Sequence, residues 1–419
     1  MADDLLLSIF DDDLGVEDDD EPAQGDFPDA SYSWTDLLPR SGDKPRACLR
    51  TVEIAVQTAP ELAGRIRFDE FSCQVTVTAP LPWRERSGAW TNSDPLLFAS
   101  WLQQHDVYVS PSTVTHGVLA AAMKNSFHPV RDYLSGLKWD GRARLNEIGS
   151  YWGCHDPSTH DALRRWFISA VARVFQPGCR ADLVPVFEGR QGVGKSRSLE
   201  VLFAPWFCDH LPDLYNKDAF LQLQGRWCVE VAEFDTFTSA TAEKVKAFIS
   251  SPVDRFRPPY GTVAEDRPRQ CVLAATTNSD SWHSDSTGGR RWIPVACSRV
   301  DVDALAQARD QIWAEAYHLY SSGSTWWADG CLLGRLAEQV EARYTADPWE
   351  ALISAWLDGR NETKTEEVLM LCIGRSRAAI TRQDQMRVGE ILRRLGWVRT
   401  RRRCGGDLKE VVYVRSSLA

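Results

Sequence analysis

Gly189-Arg190-Gln191-Gly192-Val193-Gly194-Lys195-Ser196 sets two glycines five apart and follows the second with a lysine and a hydroxyl. That spacing suits a loop that wraps phosphates. Glycines let the backbone turn tightly and aim its N–H groups at phosphate oxygens. A helix starting at the loop presents its positive end to the same anion. Lys195 is long enough to reach β- and γ-phosphates, and the Ser196 hydroxyl can ligate a metal ion. The expected ligands are ATP and Mg²⁺.

A second chemical group follows about 30 residues later, in Gly225-Arg-Trp-Cys-Val-Glu230-Val-Ala-Glu233-Phe-Asp235. Acids near the end of an apolar strand supply what phosphate cleavage needs: one carboxylate for Mg²⁺ and one to orient or deprotonate water. Glu233, at the strand exit, is the first choice for catalysis. Glu230 either joins the metal shell or finds a basic partner, because burying it alone is costly. Asp235 is a third candidate. The run Gln270-Cys-Val-Leu-Ala-Ala-Thr-Thr-Asn278 ends in an amide that can hold water against a γ-phosphate. Arg290 and Arg291 follow a Thr-Gly-Gly turn, and a guanidinium there can neutralise charge on a transferred phosphoryl group, its own or a neighbour's. Between the acids and Asn278, Arg255, Arg257 and Tyr260 mix cations and an aromatic ring in a Pro/Gly-shaped turn. Such a turn can grip a phosphate backbone and stack a base.

Positioning these residues requires strands and helices in alternation. Apolar strands are expected at 182–187, 226–233, 270–277 and 291–297, with helices at 194–203 and 242–250 between them. That order predicts a three-layer α/β sheet, with ligands at the carboxyl ends of the strands. An amphipathic helix over 161–176 precedes it, carrying Leu163, Phe167, Ala170, Val171 and Val174 at helical spacing. Cys154, His155 and His160 lie just before that helix without a fourth ligand at metal spacing. Residues 45–150 read as a small mixed module, with helices at 52–62, 94–104 and 112–126 and strands within 66–79. Beyond 346, helices at 347–358, 365–373 and 384–395 precede two strands around Cys404-Gly-Gly-Asp407, the pattern of a winged helix. Its third helix offers Arg387, Arg393 and Arg394; its wing offers Arg399, Arg401, Arg402 and Arg403. These cations are expected to contact DNA phosphates in a salt-sensitive way.

The chain has 419 residues and a net charge of −10, unevenly spread. Residues 1–39 hold 13 acids and no Lys or Arg, which leaves +3 on the rest, whereas 373–419 hold 12 basic and 4 acidic side chains. An acidic leader and a basic tail point to a nucleic-acid contact near the C-terminus. Within the leader, Leu5 to Phe10 form an apolar interruption that could dock on a replication partner. No run approaches the roughly 20 apolar residues of a membrane helix, and the acidic start excludes a secretory signal. The 11 cysteines never form C-x-x-C, which argues for reduced thiols in a cytoplasmic protein.

Taken in order, GRQGVGKS, GRWCVEVAEFD, DRFRPPYG, ATTN and TGGRRWIPV resemble the virulence-associated protein E family. Its members are P-loop ATPases of phages, prophages and pathogenicity islands, similar to superfamily-three replicative helicases. The likeness covers roughly residues 125–345, beginning with HPVRDYLSGLKWDG. It implies an AAA+-like core, a hexameric ring and Mg²⁺-ATP-driven movement on DNA. It also implies that Lys195 and Ser196 bind nucleotide and Mg²⁺, that Glu230 and Glu233 form the acidic motif, and that Asn278 is the sensor. Arg290 or Arg291 becomes the finger acting in trans, and Arg255 to Tyr260 a channel loop. Relatives often carry a primase domain upstream; the residues before the likeness hold no triad of metal-binding carboxylates, so priming is not expected.

The organisation expected is therefore an acidic leader (1–40), an α+β module (41–150), an α/β P-loop NTPase core (151–345) and a winged-helix domain (346–419). The expected function is an ATP-dependent DNA helicase or replication ATPase of a mobile element. The alternative is an ATP-switched regulatory or interference protein that binds DNA without unwinding it. A third reading makes the chain a DNA-binding regulator with a vestigial phosphate loop.

Overall fold

Short apolar runs separated by amphipathic stretches fold here into a mixed α/β structure built on a parallel sheet. A computed structural model of the chain describes residues 33–212, 219–236, 239–256, 263–283, 289–403 and 409–415. The chain divides into two units, one of residues up to 68 with 75–125, the other of 69–74 with 126–419. The boundary thus falls near 125, so residues 126–150 join the unit of the sheet.

The first unit holds α1 (Leu49–Thr58), α2 (Asp94–Gln103) and α3 (Pro111–Met123), with β1 (Ile66–Asp69) and β2 (Gln74–Val77) except for their ends at 69 and 74. Ser110 caps α3 by accepting from the Thr113 N–H, with Pro111 at the first helical position. Val52, Phe98, Leu102, Val114 and Val118 share its core.

In the second unit, α4 (Pro129–Gly136) and α5 (Pro157–Phe175) precede the sheet. α5 begins four residues before the expected start, because Asp156 accepts from the Thr159 N–H at 2.7 Å and Pro157 takes the first position. His160 lies in its first turn and accepts the Gly149 N–H through Nδ1 at 3.0 Å, a packing role.

The sheet is formed by β3 (Val184–Glu188), which leads into α6 (Lys195–Phe203), then β4 (Phe207–Cys208) and β5 (Cys228–Val231). α7 (Ser239–Ser250) and the hairpin β6 (Val253–Phe256) and β7 (Glu265–Pro268) follow, then β8 (Val272–Thr277) and β9 (Trp292–Ala296). The strand order is β9-β3-β8-β5-β4, with every pairing parallel. β8 therefore lies between the strand before the glycine loop and the strand with the acids.

Period-two alternation sends the side chains to two separate cores. Val184, Val186, Val229, Val231, Leu273 and Ala275 face α7 with Val245, Phe248 and Ile249. Phe187, Cys228, Val272 and Ala274 face the other way, onto Phe167 and Ala170 of α5 and Leu199 and Leu202 of α6. α8 (Val302–Ser321) adds Trp313 to that larger core, and α9 (Gly330–Glu341) adds Leu332 and Leu336. A sheet buried on both faces explains strands that read as continuous apolar runs.

The C-terminal stretch has its own core of Ile353, Val368, Leu369, Val388, Leu392 and Trp397. It contains α10 (Glu350–Trp356), β10 (Glu362–Thr363), α11 (Arg382–Arg394), β11 (Trp397–Arg403) and β12 (Lys409–Arg415). The expected helix near 365–373 is present, passing through a π turn at Val368–Cys372. β12 pairs antiparallel with both β10 and β11. α11 starts two residues before the expected Asp384, because Thr381 and Asp384 form a reciprocal capping box. No helix among the described residues is long and apolar enough to cross a membrane.

Candidate nucleotide-binding site

The loop from Gly189 to Gly194 joins β3 to α6, and its three glycines all have positive φ: 154°, 79° and 105° at Gly189, Gly192 and Gly194. At Gly189 a Cβ would sit 2.5 Å from the Cys297 carbonyl oxygen, so only glycine fits the close approach of β9. At Gly192 a Cβ would meet nothing, so the demand there is the backbone angle alone. Val193 packs on the larger core and anchors the loop from within. Ser198 fixes the helix start by donating to the Lys195 carbonyl at 2.6 Å and accepting Trp152 Nε1 at 2.8 Å. Arg190 and Gln191 are exposed at the loop crest.

Lys195 is buried at the first turn of α6. Its Nζ donates to the Gly189 carbonyl (2.6 Å), the Arg190 carbonyl (2.9 Å) and Asn278 Oδ1 (3.0 Å). Burial lowers its pKa from the ordinary lysine value. Ser196 Oγ donates to Glu230 Oε1 at 2.6 Å, and so does Thr276 Oγ1 at 2.6 Å.

Alternation accounts for this meeting. Val229 and Val231 of β5 face α7, so Glu230 faces the α6 side, where Ser196 stands. Thr276 of β8 shares that side, and Thr277 faces the other, where its hydroxyl donates to Asp235 Oδ1 at 2.6 Å. Glu230 is 1% exposed, which a carboxylate tolerates because two hydroxyls satisfy it. Lys195, Ser196, Glu230 and Asn278 thus converge at the carboxyl edge of the sheet. Glu233 lies outside β5, exposed, with φ of 52°, a left-handed angle that costs a non-glycine residue roughly 1–2 kcal/mol. The hydroxyl of Ser196 thus meets Glu230, the acid expected either to join the metal shell or to find a basic partner.

Glu188, the last residue of β3, escaped the sequence reading. It is buried at the root of the loop and accepts Trp282 Nε1 at 2.7 Å and Arg343 Nε at 2.7 Å. Its backbone carbonyl accepts the Cys297 N–H at 2.7 Å. An acid closing an apolar strand must find a partner, and that was the available signal.

Arg291 does not approach the loop. β9 pairs Trp292 with Val184, so Arg291 lies at the amino edge of the sheet, about 16 Å of strand away from the carboxyl edge. Arg290 belongs to the same short helical turn, but its side chain lies outside the described residues. Arg255 sits on β6 opposite Asp266, 3.6 Å from its carboxylate, while Arg257 and Tyr260 lie outside the described residues. In the C-terminal stretch, Arg394 is engaged inside the fold: it pairs with Glu341 and Glu350 and lies over the Tyr344 ring. Arg387 is likewise held, by both Asp347 oxygens and the Trp349 ring. Arg402 pairs with Glu362 at 2.7 Å. Among the described residues Arg393, Arg399 and Arg401 have no such partner and all three are exposed, and the side chain of Arg403 is outside the described residues.

The model of the virulence-associated protein E-like domain matches residues 134–345, half of the chain. The chain belongs to the virulence-associated protein E-like family. The matched span of this VapE-like chain runs from the end of α4 past α9 and includes the loop, Glu230, Asn278 and Arg343. A search of curated proteins finds no match. Among solved structures, the A form apo structure of the NrS-1 C-terminal region is similar at 12% identity, TM-score 0.42, covering 88% of the VapE-like chain and 100% of its own. A further structure of that region is similar at 13% identity, TM-score 0.42, with 83% and 96% covered.

Proposed function

We propose that this VapE-like chain is an Mg²⁺-dependent ATPase that acts on DNA in the replication of a phage or other mobile element, as a helicase. The observation that carries the reading is the convergence of Lys195, Ser196, Glu230 and Asn278 beside a loop whose three glycines all take positive φ. The donor set fits the ligands: hard oxygens from a hydroxyl and a carboxylate suit Mg²⁺, and an ammonium with loop N–H groups suits phosphates. Bound Mg²⁺-ATP would bring the phosphoanhydride bond to be cleaved. Ser196 and Glu230 would hold the metal, and Lys195 would exchange its carbonyl partners for phosphate oxygens. Asn278, already beside Lys195, would orient water, and Glu233 would take its proton. The left-handed backbone at Glu233 supports that role, since strain of this kind gathers at functional positions.

Because Arg291 stands at the sheet edge opposite its own loop, it would serve as a finger only for a neighbouring copy. This favours a homo-oligomeric ring, a hexamer in the reading the family implies. DNA would be held by the β6–β7 hairpin carrying Arg255 and by a winged-helix-like C-terminal face presenting Arg393, Arg399 and Arg401.

The test is ATP hydrolysis by the purified chain with Mg²⁺, with and without single-stranded DNA, together with unwinding of a forked duplex. DNA-stimulated turnover and strand separation, both lost in Lys195→Ala, are expected. Retained turnover in that variant would refute the site. Turnover without unwinding would favour an ATP-driven switch that binds DNA.

A further inference from the structure

At the amino edge of the sheet, away from the glycine loop, a cavity of about 520 Å³ opens between the start of β3, the start of β9 and the segment before α9. Its walls include Arg180, Asp182, Arg291, Trp326 and Trp327. The volume lies within the range of small-ligand sites, and the lining is chemically distinctive.

Trp327 is 57% exposed, whereas Trp152, Trp166, Trp227, Trp292 and Trp313 are fully buried. Its backbone and its neighbour are tied to the fold. It stands edge-on to Trp326 at 5.3 Å, and Trp326 Nε1 donates to the Arg180 carbonyl at 2.9 Å. The Trp327 carbonyl accepts Arg165 Nη1 at 2.6 Å, and Arg165 itself pairs with Asp161 and Asp329. Arg180 and Arg291 form no ion pair among the described residues. An exposed aromatic face, two guanidiniums without an ion pair among the described residues and one carboxylate are complementary to a nucleotide. A base can stack on indole, phosphate can take the guanidiniums, and Asp182 can accept an exocyclic amino group.

We propose that this cavity is a second nucleotide-binding site, with a base stacked on Trp327 and phosphate on Arg180 and Arg291. The inference stands on the lining chemistry and survives even if the glycine loop hydrolyses nothing. Two sources share that chemistry: a free mononucleotide and one unit of a single strand.

The test is photolabelling of the full chain with an azido-purine nucleoside triphosphate and, separately, with a bromouracil-containing oligonucleotide, followed by mapping of the labelled peptide. Label on the peptide holding Trp326 and Trp327 is expected. Triphosphate label kept in Lys195→Ala identifies a free nucleotide, and oligonucleotide label identifies a strand; triphosphate label lost in that variant, with no oligonucleotide label, would make the cavity only the far wall of a neighbour's glycine-loop site and overturn a second site. Absence of label there from both probes overturns the proposal. Affinity for the labelling probe is expected to fall roughly five- to hundred-fold in Trp327→Ala and roughly ten-fold or more in Arg180→Glu, and to hold within a few-fold in Trp327→Phe. These exposed positions leave the melting midpoint nearly unmoved, so unchanged affinity in both Trp327→Ala and Arg180→Glu would also overturn it.

Discussion

Glu230 is where acid chemistry and folding meet. A carboxylate 1% exposed persists because the Ser196 and Thr276 hydroxyls both donate to it. Ser196 would leave this bond in part for a metal, while Thr276 would keep the carboxylate aimed. Thr276→Val is therefore expected to raise the Mg²⁺ concentration needed for half-maximal ATPase by roughly ten- to a hundred-fold, the usual cost of losing an orienting partner. A Mg²⁺ titration of turnover checks this, and an unchanged requirement would separate Thr276 from the metal. A second residue titrates with the fold. Burial holds His283 down at about 4, against an ordinary value near 6.5. Between those values the unfolded chain binds a proton that the native chain refuses, so stability rises with pH across the window. It is fully present above about 6.5 and lost as pH falls towards 4. Urea unfolding at pH 5 is expected to show about 2 kcal/mol less from this group than at pH 7, a difference that His283→Gln removes.

The loop depends on what braces its root. Glu188 ends β3 and Arg343 follows α9, so one ion pair ties the strand before the glycines to the chain entering the C-terminal stretch. Trp282 adds a third side from the segment after β8. Arg343→Met would strand a buried carboxylate, and a loss of about 3–5 kcal/mol in unfolding free energy is expected. Glu188→Gln combined with Arg343→Met should recover part of it, because no charge then remains buried. A denaturant-unfolding cycle over the two singles and the double decides the point, and additive effects would show that the pair is not coupled.

At the scale of the whole molecule, the two sheet edges carry different chemistry. The carboxyl edge holds Lys195 and Glu230, and the amino edge holds Arg291. If copies complete one another's sites, mixing inactive Lys195→Ala with inactive Arg291→Ala should restore ATPase above the level of either alone. Activity that stays absent on mixing would confine each site to one chain. The C-terminal stretch divides its arginines in a similar way. Arg399→Glu with Arg401→Glu is expected to weaken DNA binding and flatten its salt dependence, by about one unit of slope for each phosphate no longer neutralised. Arg394→Ala, which breaks pairs with Glu341 and Glu350, should lower stability while leaving the salt slope in place.

Much of this was legible in the residues themselves. The apolar runs gave the principal strands of the sheet to within a few residues, and the glycine spacing located the loop, because both signals are local. The short edge strand β4, the β6–β7 ladder and β10 left little trace, since two to four residues carry no period to read. The β6–β7 segment was legible only as a Pro/Gly turn. The acids at 230, 233 and 235 were visible as a group, yet their division of labour was not. Which of them meets Ser196 and which meets Thr277 follows from the face of β5 that meets α6, and from β8 lying between β3 and β5. The same holds for Glu188 and Arg343, 155 residues apart, and for the arginines consumed by internal pairs. Local chemistry and periodicity are written along the chain; strand order and the partner across a core arise only when distant segments compete for the same buried space.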